Sequence, residues 1–179
     1  MQIKKCALVV IDVQNGFLTD ETQHILPAVT ELVDRWSKRN GVAVYTRYFN
    51  YSGSAFERLM DWKKLYTAPD TDLANDLLPY AQNSIILDKR TYSALTPDFE
   101  ELIRRHGWTN AMLCGIDTEL CVLKTALDLF EHDLTPWIIT NASASTGGRT
   151  YHEAGLQVIS RAVGQHHLLT TEDLYKSLT

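Results

Sequence analysis

Two periods of apolar residues alternate along the chain. Short runs rich in Val, Ile and Leu occur at 6–11, 42–46, 84–87, 111–116, 137–140 and 165–169. Their length and near-continuous apolar character predict strands buried on both faces, as in a parallel sheet. Between them, apolar residues recur at spacings of three and four, the period of one helix face. Val29, Leu32, Val33 and Trp36 follow Pro27 in this way, and Gly41 ends the pattern. Thr96 and Pro97 open a second helix. Asp98, Glu100 and Glu101 lie in its early turns and Arg104 and Arg105 in its last, charges that complement the helix dipole. Leu120, Leu123, Leu127 and Phe130 mark a third, with Thr118 placed as its N-cap. Thr150 and Glu153 have the spacing of a capping box for a fourth, which extends to about Val163. Residues 171–178 make the last helix.

Strand and helix alternate throughout, without repeats or low-complexity tracts. The alternation predicts a three-layer αβα fold of the α/β class, an open six-stranded parallel sheet carrying helices on both faces. Two stretches interrupt the pattern. Residues 51–76 are irregular, with Phe56, Leu59 and Met60 at helical spacing and Trp62 and Leu65 beyond. Inserts of this kind in compact domains are often lids or binding loops. Residues 141–148 read as a small-residue loop, too short to separate domains. The chain, 1–179, is therefore expected to be one domain.

Composition narrows the function mainly by exclusion. A net charge of -5 argues against nucleic acid as the main partner, which needs clustered Lys and Arg. No apolar run approaches the roughly 20 residues that span a bilayer, so no membrane partner is expected. The N-terminal run ends at Asp12 without a small-residue cleavage pattern and reads as a strand, not a signal peptide. Cys6, Cys114 and Cys121 are odd in number and lack metal-type spacing, which fits free thiols in a reducing cytoplasm.

Asp12, Lys89 and Cys121 each follow an apolar run within a few residues. In an open parallel sheet such positions share the carboxyl edge, where ligands bind at the reversal of strand order. Cys121 follows a strand and the turn at Gly115, close to a helix start. Free amides and the helix dipole there favour negative charge, which is expected to lower the thiol pKa and supply thiolate near neutral pH. Most cysteines in such places are small core hydrophobes, and most lysines are surface residues. The joint placement is what points to chemistry: a base, a cation and a nucleophile are the parts of covalent acyl transfer.

These residues resemble the isochorismatase-like cysteine hydrolase superfamily, which includes nicotinamidases, N-carbamoylsarcosine amidohydrolase and ureidoacrylate or biuret hydrolases. The matching segments are Asp12-Val13-Gln14-Asn15-Gly16-Phe17, Lys89-Arg90-Thr91-Tyr92-Ser93-Ala94 and Gly115-Ile116-Asp117-Thr118-Glu119-Leu120-Cys121-Val122. They occur in the family's order and span nearly the whole chain. The resemblance implies a six-stranded parallel sheet, an Asp12-Lys89-Cys121 triad and a non-proline cis peptide between Ile116 and Asp117. It also implies an oxyanion hole at the amides of Asp117 and Cys121, a substrate contact at Phe17 and, by analogy, a homo-oligomer. Tyr48 and Asn50 stand where metal-dependent relatives carry an Asp-x-His pair, and neither is a good ligand for zinc-like metals. No catalytic metal or other cofactor is expected, and nicotinamide is disfavoured as substrate.

The leading expectation is a metal-independent amidohydrolase that cleaves a C–N bond of a small linear amide or ureido compound through a thioester. The alternative is a non-catalytic binding or assembly subunit that keeps the fold. A redox thiol protein is disfavoured because no second cysteine lies at Cys-x-x-Cys spacing. Arg47 and Arg90 lie on segments that leave strands at the carboxyl edge, so a substrate carboxylate held by one of them is expected; the alternative is that they pair with nearby acids such as Asp88 or face solvent. Phe17 and Trp62 are expected to supply flat apolar walls. Dialysis against a chelator should leave hydrolytic activity intact. Loss of activity with restoration by zinc or iron would refute the metal-independent reading.

Overall fold

The computed structural model describes residues 2–82 and 84–177. Six strands form one all-parallel sheet: β1 (Cys6–Ile11), β2 (Val42–Tyr48), β3 (Ile85–Lys89), β4 (Asn110–Ile116), β5 (Thr135–Ala144) and β6 (Leu168–Leu169). Their order is β3-β2-β1-β4-β5-β6, so strand order reverses between β1 and β4. Among the described residues seven α-helices flank the sheet: α1 (Leu26–Ser37), α2 (Ala55–Met60), α3 (Leu78–Ala81), α4 (Pro97–His106), α5 (Leu123–Glu131), α6 (Arg149–Val163) and α7 (Thr171–Ser177). Leu178, the expected end of the last helix, lies outside the described residues. No helix among the described residues is long and apolar enough to cross a membrane.

The strands alternate their side chains between two apolar layers, as the pleat requires. Leu8 and Val10 of β1, Tyr45 of β2 and Met112 of β4 pack with Val29, Leu32, Val33 and Trp36 of α1 and Leu174 of α7. Ala7, Val9 and Ile11 of β1 and Leu113 of β4 pack with Phe99 of α4, Ala126 and Leu129 of α5 and Ile159 of α6. Every residue of β1 is buried, which is why the run carries no polar alternation.

Local expectations fail where tertiary contacts outweigh them. The first half of the expected loop at 141–148 is strand, because β5 runs to Ala144. Between the pairs Leu113–Ile138 and Gly115–Ser143, β4 advances by two residues and β5 by five. This bulge takes up the extra length and returns Ser143 and Ala144 to the sheet. The expected capping box of α6 is absent: Gly148 is the N-cap with no side-chain cap, and Glu153 pairs with Arg149 at 2.6 Å. Residues 165–167 form a 3-10 turn, and only Leu168 and Leu169 pair as strand. α4 does begin as its sequence suggests, with Thr96 Oγ1 accepting from the Phe99 amide and the left-handed Gly107 closing it.

The insert at 51–76 is tied to the end of β1. The Gln14 amide donates to the carbonyls of Tyr48 (3.1 Å) and Thr71 (2.9 Å) and accepts from the Tyr48 N–H (2.7 Å). Gln14 also bridges Leu73 in antiparallel fashion. The amides of Asn15, Gly16 and Ala74 bond to Asp72, Asp70 and Val13 respectively, each at 2.9 Å.

Gly115 has φ +120°, and a Cβ there would lie 2.0 Å from the Ile11 carbonyl oxygen. Gly115→Ala should therefore cost more than about 3 kcal/mol, since both backbone strain and overlap with β1 must be relieved. Gly53, at φ +77° with nothing within 4 Å of where a Cβ would stand, serves as control. Gly53→Ala should cost only about 1 kcal/mol. Denaturant midpoints of the two variants check this, and equal shifts would refute it.

Candidate active site

The site forms where β1 and β4 diverge. Asp12 leaves β1 at φ +51°, a left-handed conformation more accessible to Asp than to a β-branched residue. Thr46 of β2 holds it there: Thr46 Oγ1 accepts from the Asp12 N–H (3.2 Å) and donates to Asp12 Oδ1 (2.7 Å). Asp12 Oδ2 lies 2.6 Å from Lys89 Nζ, and both side chains are fully buried. Lys89 is the last residue of β3 and sits opposite Tyr48 in register, so its side chain reaches over the end of β2. The ammonium donates to the carbonyls of Thr91 (2.8 Å) and Tyr92 (3.1 Å) and to Cys121 Sγ (3.7 Å). Burial pulls the Lys89 pKa down, but the charges of Asp12 and Cys121 and their hydrogen bonds outweigh it, and the net shift is upward. Three residues far apart in the sequence are thus in contact at the edge expected for them.

Cys121 lies in a π-helical turn, Thr118–Val122, which leads directly into α5. The Asp117 carbonyl accepts from the amides of Leu120 (3.2 Å) and Val122 (3.0 Å). A regular α-helix would give that carbonyl to Cys121; the widened turn passes over it. Thr118 is not the N-cap. Asp117 takes that position, while Thr118 Oγ1 donates to the Ala144 carbonyl (3.2 Å) and contacts His152 Nδ1 (2.7 Å). The turn is thereby fastened to β5 and α6.

The expected thiolate is also corrected. Burial pushes the Cys121 thiol well above its ordinary range; Lys89 lowers it, but the charge of Asp12 and a hydrogen bond to it hold the proton on sulfur. Desolvation outweighs the helix start here because the thiol is enclosed while the dipole effect is worth about 1 kcal/mol or less. Cys6 and Cys114 are likewise raised by burial, to about 11 and about 12.

Cys121 opens into a cavity of about 370 Å³. Phe17, Tyr48, Phe56, Trp62 and Tyr92 line it. Phe17 and Trp62 lie nearly parallel with centroids 6.0 Å apart, and Phe56 meets Tyr48 and Tyr92 edge-on at 5.1 and 4.9 Å. The polar lining includes Asp117, Thr146 and, on the exposed side, Lys64. Asp117 follows a cis peptide bond to Ile116 and is 5% exposed. Its carboxylate accepts from the Thr146 N–H (2.5 Å) and hydroxyl (3.0 Å). Burial raises the Asp117 pKa to about 6, opposed by those two hydrogen bonds and reinforced by the charge of Glu119.

Phe17 and Trp62 stand on the cavity wall, but Arg47 and Arg90 do not line it. Arg47 is in register with Asp88 on the neighbouring strand and donates to both its oxygens at 2.8 and 3.0 Å. Strand alternation turns Arg47 away from the face that carries Thr46 and Tyr48. Arg90 stacks over the ring of Tyr51, 5.1 Å from its centroid. A carboxylate site at either arginine is therefore withdrawn. Asn50 organises the insert: its Oδ1 accepts from Ser54 Oγ (2.6 Å) and the Tyr51 N–H (2.9 Å), and its Nδ2 donates to the Trp62 carbonyl (3.1 Å). Tyr48, Phe56, Tyr92 and the Asp117 side chain were not singled out as cavity residues by sequence reasoning. The apolar residues of the insert were the available signal for Phe56, and no periodicity marks the others.

A protein of Bacillus subtilis described as an uncharacterized isochorismatase family protein is 27% identical over 99% of this chain and 96% of its own length. Nicotinamidase 3 of Arabidopsis thaliana is 26% identical, with 98% of this chain and 89% of the relative covered. The crystal structure of an isochorismatase-like hydrolase from Alkaliphilus metalliredigens superposes with a TM-score of 0.86 at 21% identity, over 97% of this chain and 98% of that one. Its sheet and helices thus match the fold described above. Residues 6–173 match the family model of the isochorismatase domain, and the chain belongs to the isochorismatase family of hydrolases.

Proposed function

We propose that the protein hydrolyses a C–N bond of a small amide or ureide with Cys121 as nucleophile. The observation that carries this reading is the contact of Asp12, Lys89 and Cys121, with Cys121 on the wall of one cavity. The family's hydrolases and the nicotinamidase among the relatives support it.

In the resting site the sulfur keeps its proton. As the carbonyl carbon approaches, Asp12 takes that proton and Sγ forms the C–S bond. The carbonyl oxygen becomes an oxyanion beside the amides of Asp117 and Cys121, in the turn that passes over the Cys121 N–H. Such a contact is worth about 3 kcal/mol at the transition state. Collapse of the intermediate breaks the C–N bond, and Asp12 returns its proton to the leaving amine. Water then replaces the amine. Asp12 removes a proton from it, hydroxide adds to the thioester, and the sulfur leaves and recovers its proton from Asp12. Lys89 stays charged throughout and stabilises the negative charge as it moves between Asp12 and sulfur. The five aromatic rings exclude water and hold the apolar body of the substrate.

Two measurements test this. Cys121→Ala should abolish ammonia release from small amides while the thermal midpoint stays nearly unchanged; retention of most activity would rule out the covalent route. Alkylation of Cys121 by iodoacetamide should be slow at neutral pH and still be rising above about pH 9, because the pKa of the buried thiol is raised. A plateau near pH 7 would show that thiolate is the resting form.

A further inference from the structure

The proposed chemistry uses the Asp117 amide but not its carboxylate. Asp117 is buried and lines the same cavity as Cys121, and its carboxylate has Thr146, another lining residue, as hydrogen-bond partner. Two hydrogen bonds from one threonine supply no positive charge. Lys89 is committed to Asp12, to two carbonyls and to the sulfur. With the thiol protonated, two acids, Asp12 and Asp117, face one base at this end. Glu119, two residues on, adds negative charge and not relief. Lys64 is exposed to solvent, so its charge is screened. The Thr146 hydrogen bonds offset only part of the desolvation cost of Asp117 and no cation within the protein offsets the rest, in keeping with its pKa near 6.

The rings around it provide a second, independent observation. Phe17, Tyr48, Phe56, Trp62 and Tyr92 enclose the cavity from several sides. Aromatic faces are electron-rich and attract cations, most strongly once both are out of water. A box of rings with one uncompensated carboxylate suits a cation with apolar substituents, and repels an anion.

We propose that this site selects a substrate bearing a substituted ammonium group, whose charge is met by Asp117 and the surrounding aromatic rings. The inference deepens the amide-hydrolase reading and rests on it for the scissile bond, but cation recognition is separable from turnover. Asp117 is thereby a specificity-determining residue, and binding of the cation also removes the repulsion that Asp117 exerts on negative charge at Cys121.

A matched set of amides tests it: 3-(trimethylammonio)propanamide, its neutral isostere 4,4-dimethylpentanamide, and the anion succinamate. Titration calorimetry on the Cys121→Ala protein reads binding without turnover. The cation should bind at least about tenfold more tightly than its neutral isostere, and succinamate more weakly than either. Adding Asp117→Asn should collapse the cation-to-neutral ratio by most of that factor. Asp117→Ser gives the same comparison if the Asn variant does not fold. Equal or weaker binding of the cation, or a preference that survives loss of the carboxylate, overturns the inference. Ammonia release by the wild-type protein from the same amides separates the two readings. Cation preference in binding without hydrolysis of any amide would overturn the hydrolase reading alone. Hydrolysis without cation preference would overturn this inference alone.

Discussion

The arrangement of the site depends on one buried ion pair, Asp12 with Lys89. Taking both charges out of water carries a penalty of several kcal/mol for each ion. The pair persists because every neighbouring group is placed to satisfy it: the Thr46 hydroxyl at Asp12, and the Thr91 and Tyr92 carbonyls at Lys89. Those partners come from the ends of β2 and the segment after β3, so the pair is also a clamp across three strand ends. Losing either charge would leave the other buried alone, a change that typically costs about 3–5 kcal/mol. Burial, with the charge of Asp12 and against that of Lys89, keeps the third member, Cys121, uncharged at rest. A neutral thiol beside a compensated pair is a lower-energy resting state than a buried thiolate beside a carboxylate, and in the proposed mechanism the acid and base are already in contact.

The sheet was legible because burial on both faces writes a continuous apolar run, as at Cys6–Ile11, and because Gly and Pro mark the helix boundaries. The convergence of Asp12, Lys89 and Cys121 was legible for the same reason: each ends or follows such a run, and a parallel sheet brings those ends to one edge. What the sequence hid was decided by neighbours in space. Thr118 has the chemistry of an N-cap but spends its hydroxyl on Ala144 and meets His152, contacts 26 and 34 residues away. The bulge in β5 has no local signature, since Ala142, Ser143 and Ala144 suit a loop as well as a crowded strand. Arg47 was misplaced by one step of the pleat, which turned it to Asp88. The thiol was misjudged because a helix start is visible in sequence and enclosure is not.

The insert also acquires a definite role. It brings Phe56 and Trp62 beside Phe17, Tyr48 and Tyr92, residues that come from the ends of β1, β2 and β3. The cavity wall is thus shared between the sheet edge and the insert. Edge-on ring contacts such as Phe56 with Tyr48 and Tyr92 add about 0.5–1.5 kcal/mol each beyond burial. Asn50 fixes the start of the insert by accepting from Tyr51 and Ser54 and donating to Trp62, so a polar residue organises an aromatic wall.

Gln14 completes that frame. Its side chain and the backbone on either side tie the insert to β1 and β2 at several points before any ligand arrives. Because the walls are ordered in advance, a ligand entering between them has little loop entropy to remove, and association is limited by fit and charge. The frame and the lining are also carried by different residues. The main-chain bonds at 13–16 and 70–74 set the shape, while Phe56, Trp62, Tyr92 and Asp117 set the chemistry. Replacing the lining would change what the cavity accepts without remaking the scaffold, so selectivity in such a chain can diverge one side chain at a time while the arrangement of Asp12, Lys89 and Cys121 is inherited intact.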